Sequence, residues 1–259
     1  MVGTGALAGL CAALIVSSGA PVAIWLLARR RGPVPAINIV IGAATFFLMV
    51  VILESALHNY VLRANPVTTA WFTAHRLAYA AYGIAAAALF EEIGRVVALQ
   101  FLAKRTVGPG AGLAYGIGHG GLESILIGTF AQARALYMAW MLNAGRFGEI
   151  AAGYSPIARQ QIVGELDALT FLSAAYAGIE RLTALLIQIG LSLIVWRAVS
   201  QRKPVLIAVA IVLHAAADTP AALLQAGYLA PLPVTSFYTL LGACLLAVFA
   251  GRFFTARSA

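Results

Sequence analysis

Charge is what this 259-residue chain most lacks. Only 10% of its residues are charged while 62% are hydrophobic, against roughly a quarter charged in soluble domains. A water-soluble domain of this size is excluded, and so is a disordered, solvating chain. Cysteine is almost absent: Cys11 and Cys244 stand near opposite ends in apolar segments. Neither has metal-site spacing, so no disulfide framework or cysteine metal cluster is expected. Alternating strand patterning is missing, which argues against an outer-membrane barrel. No linker is long enough to divide the chain, and no internal repeat points to an inverted-repeat transporter. The chain is therefore expected to be one integral membrane domain over 1–259.

What is present is a series of apolar runs of membrane-crossing length. They lie at about 4–28, 36–62, 73–103, 110–140, 169–197, 204–226 and 232–253, each near the ~20 residues a bilayer requires. The expected fold is an all-α polytopic bundle of about seven transmembrane helices, multi-pass in a bacterial cell (inner) membrane. The net charge of +8 does not signal nucleic acid, because the basic residues gather at helix ends. If the spans alternate, Arg29–Arg31, Lys104, Arg105, Arg197, Arg202, Lys203, Arg252 and Arg257 share one side, and Arg63, Arg76, Arg146 and Arg159 the other. About ten basic residues against four place the N-terminus outside and the C-terminus in the cytoplasm by the positive-inside rule. The longest loop, 143–168, has helical spacing in its second half and is expected to hold a short interfacial helix. Trp71, Trp140 and Tyr154 suit the aromatic belts at the membrane surfaces.

Against this oily background three charged clusters stand out: Glu91-Glu92-x-x-Arg95, His119-x-x-x-Glu123 and His214-x-x-x-Asp218. Ionisable groups are costly at mid-bilayer and by default mark a functional site. At 1.5 Å per residue all three clusters fall roughly 14–20 Å from the same end of their spans, so they are expected to converge in one cavity. Arg95 is i+4 from Glu91 and i+3 from Glu92 and can hold one carboxylate ionised while the other does chemistry. Adjacent helical side chains diverge by about 100°, so the two glutamates are assigned separate tasks. Glu91 is the favoured water-activating base. His119 with Glu123, and His214 with Asp218, are expected to pair along their own helices. A carboxylate activates water, and a histidine positions it or stabilises an oxyanion. An interhelical hydrogen-bond network that only holds the bundle together is the competing explanation.

Lesser features receive supporting roles. Glu54 and His58 form another i,i+4 pair about 6–12 Å from the external end of the second span, placed to line a water path or join the network from above. Glu180 should reach a polar group on another helix. Gly112, Gly116 and Gly120, continued by Ser124 and Gly128, form a small-residue stripe whose expected use is close helix packing. Gly116-x-Gly118-x-x-Gly121 matches a dinucleotide fingerprint, but no strand precedes it, so it is set aside.

At Phe90-Glu91-Glu92-x-x-Arg95, Gly118-His119-Gly120-Gly121-x-Glu123 and His214-x-x-x-Asp218 the chain resembles the YhfC-type intramembrane peptidases. Those look like relatives of the type II CAAX prenyl endopeptidases and the PrsW proteases. The resemblance covers about 85–225 by motif and the whole chain by topology. It implies hydrolysis of a peptide bond in a membrane-associated protein or peptide by a glutamate-activated water. Glu91 or Glu92, His119, His214 and Asp218 would form the catalytic core, with Arg95, Glu123, Glu54, His58 and Glu180 in support. The arginine stands one residue closer to the glutamates than is usual in the CAAX enzymes, and Glu123 follows the second-motif histidine. Zinc held by His119, Glu123, His214 and Asp218 is the open alternative, since these N and O donors suit it, although His-Glu-x-x-His is absent. A proton-coupled transporter or a membrane scaffold is the alternative outside hydrolysis.

Overall fold

The computed structural model describes residues 1–106, 108 and 110–255, with side chains through 248. All seven expected runs are helical: α1 (Thr4–Arg29), α2 (Ala36–Ala64), α4 (Arg76–Ala103), α5 (Gly110–Asn143), α8 (Phe171–Ser200), α9 (Val205–Gln225) and α10 (Pro231–Thr255). Six of these are both long and apolar enough to cross a membrane. The exception, α4, has the length, 28 residues, but carries Glu91, Glu92 and Arg95. Shorter helices fill two loops: α3 (Pro66–Ala74), and α6 (Phe147–Ile150) with α7 (Pro156–Asp167). The interfacial helix expected in the longest loop is α7. The expected terminal arginine Arg257, and the side chain of Arg252, lie outside the described residues.

Local sequence explains the boundaries. Asn65 accepts from the backbone of Val67 and Thr68, and Pro66 follows in the first turn, so α2 stops and α3 begins there. Ser155 and Pro156 start α7 in the same way. Thr170 and Ser173 form a reciprocal capping box for α8. Two stretches of α2, Phe47–Glu54 and Tyr60–Ala64, and one of α5, Ser124–Thr129, widen into π turns. Such turns are rare and gather at functional sites. The first of them ends at Glu54, which is buried.

Contacts at the loops fix which ends lie together. The backbone of Val2 bonds the Asn143 side chain at 2.8 and 3.0 Å, and the N-terminal ammonium meets Asp167 at 3.0 Å. The Arg76 guanidinium lies over Tyr228. The N-terminus and the loops around 65–75, 144–170 and 226–230 thus share one end of the bundle, called below the N-face. At the opposite face Gly110 abuts the Pro33 carbonyl and Gly112 abuts Trp196.

The helices are wrapped in apolar side chains, among them Ile15, Val22, Ile93, Val97, Leu213 and Leu240, all exposed. Both cysteines are exposed too. Polar groups are found inside instead, as expected where the surrounding solvent is hydrocarbon. The small-residue stripe of α5 is a packing seam. Gly112, Gly116 and Gly120 face Trp196, Ile189, Ser192 and Gln188 of α8, and Gly128 faces Ser17 of α1 and Arg181 of α8. On its other side α5 meets α2 backbone to backbone. A Cβ on Gly118 would collide with the main chain of Ile39, and one on Gly42 with the carbonyl of Tyr115.

Since backbone cannot yield as a flexible side chain does, Gly118→Val or Gly42→Val should cost about 3 kcal/mol. Gly83, where an added Cβ meets nothing, should gain about 1 kcal/mol on replacement by alanine through helix propensity. Thermal unfolding in detergent should rank the variants in that order.

Candidate active site

Four helices bring their polar residues to one point. From α4 come Glu91, Glu92 and Arg95; from α5, His119; from α8, Gln188 and Ser192; from α9, His214 and Asp218. Glu92, Arg95 and His119 are fully enclosed, and Glu91 and His214 nearly so. Asp218 alone is substantially open, its side chain 39% exposed. The convergence expected from helical depth is therefore found for Glu91, Glu92, His119, His214 and Asp218.

The two adjacent glutamates divide as their helical angle requires, and His214 stands between them. Its Nδ1 lies 2.8 Å from Glu92 Oε1, while its Nε2 lies 3.8 Å from Glu91 Oε1 and 3.5 Å from Asp218 Oδ2. His119 approaches Glu91 from the other side, Nε2 to Oε2 at 2.9 Å, with its Nδ1 facing the Tyr115 hydroxyl at 3.4 Å and Phe46 set edge-on against its ring. Each imidazole thus has one nitrogen held from outside and its Nε2 aimed at Glu91, an arrangement that fixes ring orientation.

Arg95 is closer to Glu92 (Nε to Oε2, 3.3 Å) than to Glu91 (Nη2 to Oε2, 3.8 Å). Its Nη1 donates to the Gln188 carbonyl and to Ser192 Oγ, each at 2.8 Å, and its Nη2 donates to the Gln188 side-chain oxygen. Gln188 Nε2 in turn donates to Glu91 Oε2 at 2.8 Å. Glu92 is consumed by structure, between Arg95 and His214. Glu91 keeps Oε1 turned towards His214 at 3.8 Å, too long for a hydrogen bond.

Glu123 departs from its expected partner. It meets Arg181 Nη1 of α8 at 3.4 Å rather than His119. Four residues advance about 40° around a helix, enough to turn Glu123 from the α4 side of α5 to the α8 side. With Arg181 and Glu180 it lines a small cavity of about 90 Å³ that also touches Gln188, His214, Asp218 and Tyr238. Glu180 accordingly sits near the centre without joining it. Glu54 accepts from His58 Nε2 at 3.1 Å, and His58 Nδ1 meets the Tyr82 hydroxyl at 2.9 Å. This pair lines a larger cavity of about 630 Å³ with Asp218 on its opposite wall. Sequence reading missed Gln188, Ser192 and Tyr115. The i,i+4 pair Gln188/Ser192 inside an apolar helix was the available signal.

No group of three or more His, Cys, Asp or Glu side chains among the described residues is already arranged around a common ion position. The donor chemistry nevertheless fits a divalent metal. Ligands held at 2.0–2.1 Å in a tetrahedron stand roughly 3.3 Å apart, and His214 Nε2 lies 3.5 and 3.8 Å from two carboxylate oxygens. Oxygen donors are plentiful around that point, with Glu54 and Asp218 lining one adjoining cavity and Glu123, Glu180 and Asp218 another.

Breaking the enclosed Arg95–Glu92 pair leaves an uncompensated buried charge. Arg95→Met and Glu92→Gln should each destabilise the protein by about 3–5 kcal/mol, and the double variant by less than the sum. A thermal-unfolding double-mutant cycle in detergent measures this.

No solved structure matches the chain. A Bacillus subtilis (strain 168) protein described as an uncharacterized membrane protein, YhfC, is 39% identical over 193 residues, covering 72% of each chain. The family described as YhfC intramembrane metalloprotease matches residues 13–239, a stretch that contains every one of the residues above. This chain belongs to the YhfC intramembrane metalloprotease family.

Proposed function

We propose that the protein is an intramembrane endopeptidase that hydrolyses a peptide bond of a membrane-associated protein or peptide at the Glu91 group. The observation that carries this reading is the aim of two imidazole Nε2 atoms, from His119 and His214, at the two oxygens of one nearly enclosed carboxylate. A scaffold needs no such focus on a single group with one open side.

In this reading Glu91 takes a proton from water as the water oxygen attacks the scissile carbonyl carbon, His119 holds Glu91 through Nε2, and His214 donates from Nε2 to the oxygen that becomes negative. Glu91 then returns the proton to the departing amine as the C–N bond breaks. Glu92 holds His214 in place through Nδ1, and Gln188 with Arg95 holds Glu91 and Glu92. The order of a paired glutamate with a following arginine, a histidine, and His-x-x-x-Asp is what likens the site to the type II CAAX enzymes. Alternatively, in place of those donor roles, His119, His214 and Asp218 would hold a divalent metal, zinc by donor type, which would supply Lewis-acid polarisation of water and carbonyl. Glu123, engaged by Arg181, leaves the ligand set first considered. With the N-terminus outside, the bundle spans the membrane seven times, α4 included.

Glu91→Gln keeps the shape of the side chain and removes the base. Fragments present in membrane proteomes of wild-type cells should fall by roughly 10²–10⁴-fold in this variant, with the protein still inserted and folded; undiminished fragments would exclude Glu91 as base. Purified wild-type protein should carry a stoichiometric divalent metal by elemental analysis, lost in His119→Ala and in His214→Ala. Metal-free protein that still cleaves would instead favour the glutamate acting alone.

A further inference from the structure

The surroundings of the catalytic group differ sharply along the membrane normal. Towards the opposite face, the next helical turn of every contributing element is an enclosed apolar side chain. Leu99 follows Arg95, Trp196 follows Ser192, Tyr115 precedes His119 and Ala210 precedes His214, each by four residues. All four belong to one buried cluster with Leu102, Leu191 and Val195. The hollow beyond that cluster, lined by Gly108, Trp196, Arg197 and Gln201, includes none of the catalytic residues.

Towards the N-face two of these helices, α4 and α9, part from one another. Gly83 and Ala87 precede Glu91 by eight and four residues, and Ala222 follows Asp218 by four; all three line the cavity of about 630 Å³. Its other wall is the π-turn region of α2, and its outer part reaches Asn59, Arg63 and Gln225. Midway sits Glu54, its side chain only 7% exposed, one oxygen bonded to His58 and the other, Oε2, enclosed without a hydrogen-bond partner. A carboxylate oxygen left in that state is costly. Water or a substrate N–H in the cavity would satisfy it.

We propose that this cavity is the vestibule through which substrate and water reach Glu91, that it opens only at the N-face, and that the N-face is extracytoplasmic. The substrate is then a peptide segment presented at the outer surface of the membrane, and Glu54 meets a donor of that segment or of the water that precedes it. What enters rests on the hydrolytic reading above; from which side it enters does not.

The test is accessibility of introduced thiols in intact cells and needs no substrate. In the full-length protein with Cys11→Ser and Cys244→Ser, single variants Ala87→Cys and Ala222→Cys probe the vestibule. Gly153→Cys marks the N-face, and Gln201→Cys the opposite face. A membrane-impermeant maleimide is applied before and after permeabilisation. The expected result is labelling of Ala87→Cys or Ala222→Cys together with Gly153→Cys in intact cells, and of Gln201→Cys only after permeabilisation. Vestibule thiols that react only after permeabilisation, or not at all in protein that still inserts, overturn the proposal. Because labelling does not depend on cleavage, a catalytically inert protein with an outward-facing vestibule would count against the hydrolytic reading alone.

Discussion

The guanidinium of Arg95 is the constraint around which the molecule is arranged. It is fully enclosed inside a bundle whose surroundings are hydrocarbon, where a lone charge is costly. Every one of its neighbours answers that cost: Glu92 by charge, Gln188 and Ser192 by hydrogen bonds. Those neighbours lie on α4 and α8, and Glu92 passes the link to α9 through His214. The ion pair thereby orders three helices and, as a by-product, orients an imidazole. What looks like a catalytic accessory is first a condition for burying the site at all.

Neutralising Arg95 leaves Glu91 in a different position from its neighbour. Glu91 receives Gln188 and His119 on Oε2, while Oε1 faces His214 Nε2 at 3.8 Å. Two residues of the same type, adjacent in sequence, are separated in role by one helical step. His119 reaches Glu91 from a helix packed closely between two others. Its flanking glycines, Gly118 and Gly120, let α2 and α8 approach on two sides. The glycine stripe is thus part of how the site is assembled, though it touches no reacting atom.

Much of this was legible in the chain. The seven helical runs, the shared depth of the three charged clusters, and the different partners of Glu91 and Glu92 all follow from hydropathy and helical angle. Cross-helix choices did not follow. An i,i+4 spacing says that His119 and Glu123 can meet; it does not say that Glu91 and Arg181 compete for them and win. Gln188 was overlooked because an uncharged amide barely interrupts an apolar run, yet it bonds both Arg95 and Glu91. The short α3 escaped notice because nine residues capped by Asn65 carry too little periodicity to register against a loop.

On the proposed hydrolytic reading, the placement of the group along the membrane normal resolves a conflict between burial and hydrolysis. A carboxylate that activates water must be reached by water, whereas an enclosed ion pair is stabilised by keeping water away. The bundle separates the two demands along its axis. Leu99, Tyr115, Trp196 and Ala210 close one side next to Arg95, and the cavity between α2, α4 and α9 opens the other next to Asp218. Asp218, the one partly open member of the group, stands at that boundary, and His214 bridges it, with Glu92 on the dry side and Asp218 on the wet side. The three charged clusters lie at the depth where the apolar plug ends and the cavity begins.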